Sequence, residues 1–317
     1  MSRHLMVTAG AFCGRRILRR SVAVALLTLS ALSELSAQVP RAAAPASMPA
    51  TQPAADAAWP FDAKEAARRQ EQAAKALGIP REKVLDLGDK VSLRLVLIPA
   101  GRFQMGSGET DKDHGANGLP QHEVALTKAC YLGVCKVTQA QYEKVIGKNP
   151  SQHVGPTLPV DSVTWDDAVA FCQKASEKTK TRIHLPTEAQ WEYACRAGAA
   201  TAYHFGDDGA KLGDYAWFPG NANNMTHPVG QKKPNAFGLY DMHGNAWDWC
   251  ADFFAPTYAD AGKIDPTGPA TGTTHVVRGG TYGVRVSLMR SALRAGFGSV
   301  SPAALARCSF RVVLEVE

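Results

Sequence analysis

The chain lacks a C-x-x-C pair, a G-x-S-x-G turn and a basic run interleaved with aromatics. The first absence removes the usual zinc and thioredoxin-like spacings, and the second removes the nucleophile elbow of serine hydrolases. The third removes the electrostatic footprint of a nucleic-acid binder. Long apolar runs are also missing. The longest, Ser21–Leu32, falls short of the roughly 20 residues needed to span a bilayer. The histidines beyond the N-terminal segment are scattered, with no close metal-ligand spacing, which argues against an iron or zinc site. Formal charge is +6, but the first 37 residues carry five arginines against one acid, so the remainder is close to balance.

What is present falls into four stretches. Arg15, Arg16, Arg19 and Arg20, then the apolar run, then Leu35-Ser36-Ala37 as a cleavage site form the pattern of an export signal over residues 1–37, the alternative being an uncleaved anchor. This predicts a secreted or periplasmic protein with no stable membrane span after cleavage. Residues 38–60 are rich in Ala, Pro, Thr and Gln and predict a disordered linker. Residues 61–83 read as a surface helix and connector, capped by Asp62 and stopped by Gly78 and Pro80. The globular domain is expected over 84–317. With 28 glycines and 19 prolines, turns and loops should dominate it.

Within that domain Val91, Leu93, Leu95 and Leu97 alternate as a strand, with Arg102–Met105 as its expected hairpin partner. Further short strands are expected at His122–Leu126, Tyr131–Val137, Val276-Val277 and Phe310–Leu314. Thr138 caps one helix through Ile146, Ser162 or Thr164 caps a second, and Thr187 with Gln190 opens a third that ends at Gly198. No helix pattern follows. Six cysteines remain beyond residue 37: Cys130, Cys135, Cys172, Cys195, Cys250 and Cys308. In an oxidising compartment an even number predicts disulfides, the alternative being buried small hydrophobes, and the pairing stays open. The centre is Gly238–Cys250, dense in Trp, Asp and Gly, which reads as a loop locked by large aromatics. Asp241, the backbone at Gly244 and Ala246, and Asp248 bring four oxygens into eight residues, a donor set suited to calcium.

Five segments in order resemble the formylglycine-generating enzyme, or sulfatase-modifying factor, family: LVLIPAGRFQMGS, IHLPTEAQWEYACRAG, NAFGLYDMHGNAWDW, VVRGGTY and SFRVV. The resemblance implies an α+β fold related to C-type lectins, with little regular secondary structure. It implies structural calcium on Asp241, Gly244, Ala246 and Asp248. A second calcium site does not carry over, because Trp217 stands where an asparagine is expected. The family's founding activity oxidises a sulfatase cysteine with oxygen and copper(I) held by two cysteines. Those cysteines fall at the sixth and eleventh positions of the glycine turn, here Val284 and Met289. Neither supplies a thiolate, so copper is not expected. The expectation is therefore a member without copper oxidation, a binding or accessory protein. Thr281, Tyr282, Arg285, Arg290 and Arg294 would form a face for a protein, peptide or anionic partner. The alternatives are an active formylglycine-generating oxidase and a variable-loop ligand binder. The histidine-bound iron of related sulfoxide synthases needs an added helical domain that nothing here resembles.

Overall fold

The computed structural model describes residues 58–108, 116–258, 261–298 and 305–316. The expected export signal and residues 38–57 of the expected linker lie outside the described residues. The linker's last three residues have a fixed place. Trp59 packs on a core cluster, and the Ala58 carbonyl accepts from Arg69 at 2.8 Å.

Helix α1 (Ala63–Leu77) starts where Asp62 accepts from the Glu65 amide and ends at Gly78 in the left-handed region. It does not simply lie on the surface. Ala66, Gln70 and Ala73 are buried, and the Gln70 amide donates to the carbonyls of Leu97 at 2.9 Å and Phe237 at 3.1 Å. Small alanines let the helix approach closely, so a segment poor in large apolar residues still docks. The expected connector also ends earlier. Strand β1 (Glu82–Gly88) pairs antiparallel with β2 (Val91–Ile98) across a turn in which Asp89 and Lys90 have φ of 51° and 65°.

Strand β2 therefore has its hairpin partner before it. Its other edge is taken by β5 (Cys130–Gly133), and this overturns the expected pairing with Arg102–Met105. That stretch is β3 (Gly101–Met105), which pairs with β4 (His122–Leu126) in a separate two-stranded sheet. The main sheet has the order β1-β2-β5-β11-β6, with β6 at Ile183–His184 and β11 at Val313–Glu315. A second sheet has the order β10-β7-β8-β9, from Cys308–Ser309, Trp247–Phe253, His275–Arg278 and Arg294–Phe297. The end of the aromatic stretch, Trp247 to Cys250, is thus strand, not loop. Trp247, Asp248, Trp249 and Cys250 are all buried, so no apolar–polar alternation marks the strand.

Helices α2 (Gln139–Ile146), α3 (Trp165–Thr179) and α4 (Glu188–Arg196) each open with a capping box, from Thr138, Thr164 and Thr187. Beyond Gly198 the described residues form 3₁₀ turns at Gly209–Asp214 and Val286–Met289. The fold is α+β. The core sits between the main sheet and α2 and α3, and between α4 and the second sheet. None of the six cysteines beyond residue 37 is joined to another of the described cysteines, and five of them are buried. The expected disulfides are not formed, and the thiols behave as small core hydrophobes. Burial pushes the Cys130 and Cys195 thiols up to about 12.

Candidate functional site

Strand β8 is followed by Gly279-Gly280, and both glycines are required by geometry. Their φ values are 88° and 79°. A Cβ on Gly279 would stand 2.8 Å from the Met242 carbonyl oxygen, and one on Gly280 would stand 2.8 Å from Met289 Cγ. The turn so formed places Thr281 and Tyr282 over the central loop. The Thr281 hydroxyl donates to the Asn245 carbonyl at 3.3 Å, and the Tyr282 amide donates to the same oxygen at 3.1 Å. Both side chains are buried. They hold the turn rather than project from it.

Below the turn lies a buried ion network. Arg278 bonds Glu192 of α4 and donates to the carbonyls of Ser291 at 3.0 Å and Ala292 at 3.1 Å. Glu192 also accepts from Arg196 at 2.9 Å and from the Gly106 amide at 2.9 Å. Burial alone would raise the Glu192 carboxyl, but Arg278 and Arg196 outweigh it and hold the group below its ordinary range. This network fixes the chain after the turn.

The three arginines expected to share one face are separated. Arg294 is 5% exposed. It makes a two-pronged contact with Glu188 at 2.6 and 2.7 Å, donates to the Ala255 carbonyl at 2.7 Å, and lies over the rings of Phe254 and Tyr258. Arg290 is buried and donates to the Ser287 carbonyl at 3.1 Å. Of the three, Arg285 alone stays exposed. Arg294 and Arg290 are structural, because the Arg278 network draws their backbone inward and Glu188 supplies a buried counter-charge. A different cation joins Arg285 at the turn. The Arg307 guanidinium lies 5.2 Å from the centroid of Tyr282, and the His153 ring meets the same ring edge-on. Neither residue had a sequence signal, since they reach Tyr282 from 25 or more positions away.

Val284 and Met289 do not fit a copper(I) site. Met289 is fully buried with Tyr203, Leu212 and Ala216, and Val284 packs on the same cluster. Next to them His243 donates through Nδ1 to the Met289 carbonyl at 2.6 Å, while its Nε2 accepts from the His204 amide at 3.5 Å. That bonding suits the neutral ring. Burial drives the His243 pKa well below its ordinary value, and burial lowers His204 to about 4. The rings of His204, Phe205, Tyr215 and His243 stack and tilt around one another, which is aromatic packing rather than a ligand set. Among the described residues no group of three or more His, Cys, Asp or Glu side chains is placed to hold a metal.

The expected calcium loop is built differently from its sequence. Asp241 and Asp248 are both buried, and Asp248 faces two cations of the chain itself. Asp248 Oδ2 lies 2.8 Å from the Lys136 ammonium and accepts from Arg311 at 3.0 Å and from the Trp191 indole at 3.0 Å. Asp241 Oδ2 accepts from the Gly230 amide at 2.8 Å. Arg311 further donates to the Tyr240 carbonyl at 3.0 Å and the Gly133 carbonyl at 3.0 Å. Two carboxylates against two cations leave no net negative charge. A divalent ion added here would be an uncompensated buried charge, so the residues present do not fit calcium.

Residues 89–316 match the family model described as the sulfatase-modifying factor enzyme 1-like domain. The formylglycine-generating enzyme of Streptomyces coelicolor is 41% identical over 140 residues, which is 40% of this chain and 43% of that protein. The chain thus spans less than half the length of that relative. A protein of Paenibacillus barcinonensis described as the chaperone LppX is 32% identical over 50% of this chain and 71% of its own length. Among solved structures, Treponema denticola variable protein 1 superposes with a TM-score of 0.68 at 28% identity, covering 75% of this chain and all of that one. The matched model covers most of the chain, and the protein belongs to the sulfatase-modifying factor family.

Proposed function

We propose that this chain is an exported binding or accessory member of the family, which does not oxidise cysteine through copper and recognises a protein or peptide partner at the double-glycine turn. The observation that carries the reading is the burial of Met289 at one expected copper position, with Val284 packed beside it at the other. Neither side chain offers a thiolate, and the space a metal would need is filled by their own apolar contacts. A relative described as a chaperone speaks for an accessory role. The export reading rests on the basic and apolar pattern of residues 1–37. No described helix is long and apolar enough to cross a membrane.

The contact face on this reading is the rim of the turn, with exposed Arg285 and with Arg307 over Tyr282, a surface suited to acidic or carboxylate-bearing segments. Cross-linking of the mature chain in its own compartment, followed by mass spectrometry, tests this against an Arg285→Glu/Arg307→Glu variant. A partner captured by the wild type and lost by the folded variant is expected. Equal capture by both would remove the face from the account. Conversion of a cysteine peptide to formylglycine would remove the non-oxidase reading.

A further inference from the structure

The misfit between the central loop and calcium has a positive counterpart. Lys136 lies between β5 and α2, where the Val137 amide donates to the Phe310 carbonyl at 2.9 Å and Thr138 caps α2. Before it, the Val134 amide donates to the Arg94 carbonyl at 2.9 Å, so the backbone is held on both sides. Its ammonium has no solvent exposure and stands 2.8 Å from Asp248 Oδ2, which is equally buried. Asp241 Oδ1, Asp248 Oδ1 and Lys136 Nζ have no hydrogen-bond partner of good geometry among the described residues. The contact between the Lys136 ammonium and the acids is therefore one of charge, made at Asp248 Oδ2.

We propose that the Lys136 ammonium is the resident cation of this loop, taking the place the resemblance assigns to a structural calcium ion. Three observations carry this. The ammonium is within ion-pair distance of one of the two acids expected to bind the metal. Arg311 holds the same oxygen and also engages the Tyr240 carbonyl, so the loop's acceptors are directed at cations of the chain. The balance of two acids and two bases is complete without a divalent ion. A covalently tethered cation cannot dissociate. The loop beneath the double-glycine turn therefore keeps its shape at any free calcium concentration, and chelators leave the fold intact.

The test compares thermal unfolding of the mature chain in excess EGTA and in millimolar calcium chloride, with calcium binding followed by calorimetry. The wild type is expected to unfold at the same temperature in both and to show no stoichiometric calcium binding. Lys136→Met removes the charge and keeps the length of the side chain. It is expected to unfold at a lower temperature in EGTA and to recover on addition of calcium, because the acids then lack their cation. In Lys136→Met/Asp248→Asn the balance is restored and the calcium response should vanish. Stoichiometric calcium binding by the wild type, with loss of stability on chelation, would overturn the proposal whatever the variants do. A folded Lys136→Met protein indifferent to calcium would overturn it too.

Discussion

Asp252, on β7, is a buried carboxyl that forms no ion pair among the described residues. Its Oδ2 accepts from the Glu188 amide at 2.8 Å, where α4 begins. The guanidinium that could have balanced it, Arg294, is committed to Glu188. Burial, followed by the like charge of Glu188, pushes the Asp252 carboxyl from its ordinary 3.8 up to about 7. His275 and Cys250 lie near it and add no compensating charge while neutral. Between those two values the folded chain holds a proton that the unfolded chain has released. Stability therefore falls as pH rises from about 4 to about 7, and the loss is complete above the folded value. A shift of that size corresponds to about 4 kcal/mol as an upper bound. Asp252→Asn keeps an oxygen to accept from Glu188 and removes the titration. Urea unfolding should show the variant more stable than the wild type at pH 8, by about 1–4 kcal/mol. The wild type should gain stability between pH 8 and pH 6, where the variant changes less. A variant equal to or weaker than the wild type at pH 8, or one with an unchanged pH slope, would refute the reasoning.

On the acid side the histidines act in the opposite sense. His204 at about 4 and His243, lower still by burial, remain neutral in the fold, so their stabilisation is present above the unfolded value of 6.5 and is lost as pH falls toward 4. Thermal unfolding from pH 7 to pH 5 should show this loss, less steeply in His204→Phe. Arg294→Ala strips Glu188 of its counter-charge and should cost about 3–5 kcal/mol in urea unfolding. Arg294→Lys should not restore it, because the two-pronged contact needs a guanidinium. Gly279→Ala combines a φ of 88° with a clash at the Met242 carbonyl. The backbone strain alone is about 1–3 kcal/mol, and the measure is the fraction of soluble, cooperatively unfolding protein.

Local signals proved legible where they are self-contained. Thr138, Thr164 and Thr187 each sit three residues before the side chain that completes the capping box, so the helix starts follow from the sequence. β2 is visible because one of its faces is polar at Arg94. β7 is hidden because both of its faces are buried. The β1–β2 hairpin escapes because its turn uses Asp89 and Lys90 at positive φ, where glycine or asparagine is the usual sign. The site was legible in its motif and misleading in its charges. Arg285, Arg290 and Arg294 are close in sequence yet diverge, since Glu188 lies 106 residues before the arginine it captures. The role of Lys136 was equally out of reach. Its partner is more than a hundred residues away, and a lysine before a helix cap reads as an exposed charge.

The central claim is that the double-glycine turn here carries no copper chemistry. The direct test loads the purified mature chain with copper(I) under reducing conditions, adds oxygen and a cysteine peptide of sulfatase type, and follows the peptide by mass spectrometry. The account predicts an unchanged cysteine and no tight stoichiometric copper. Conversion to formylglycine, with copper retained at one ion per chain, would contradict it.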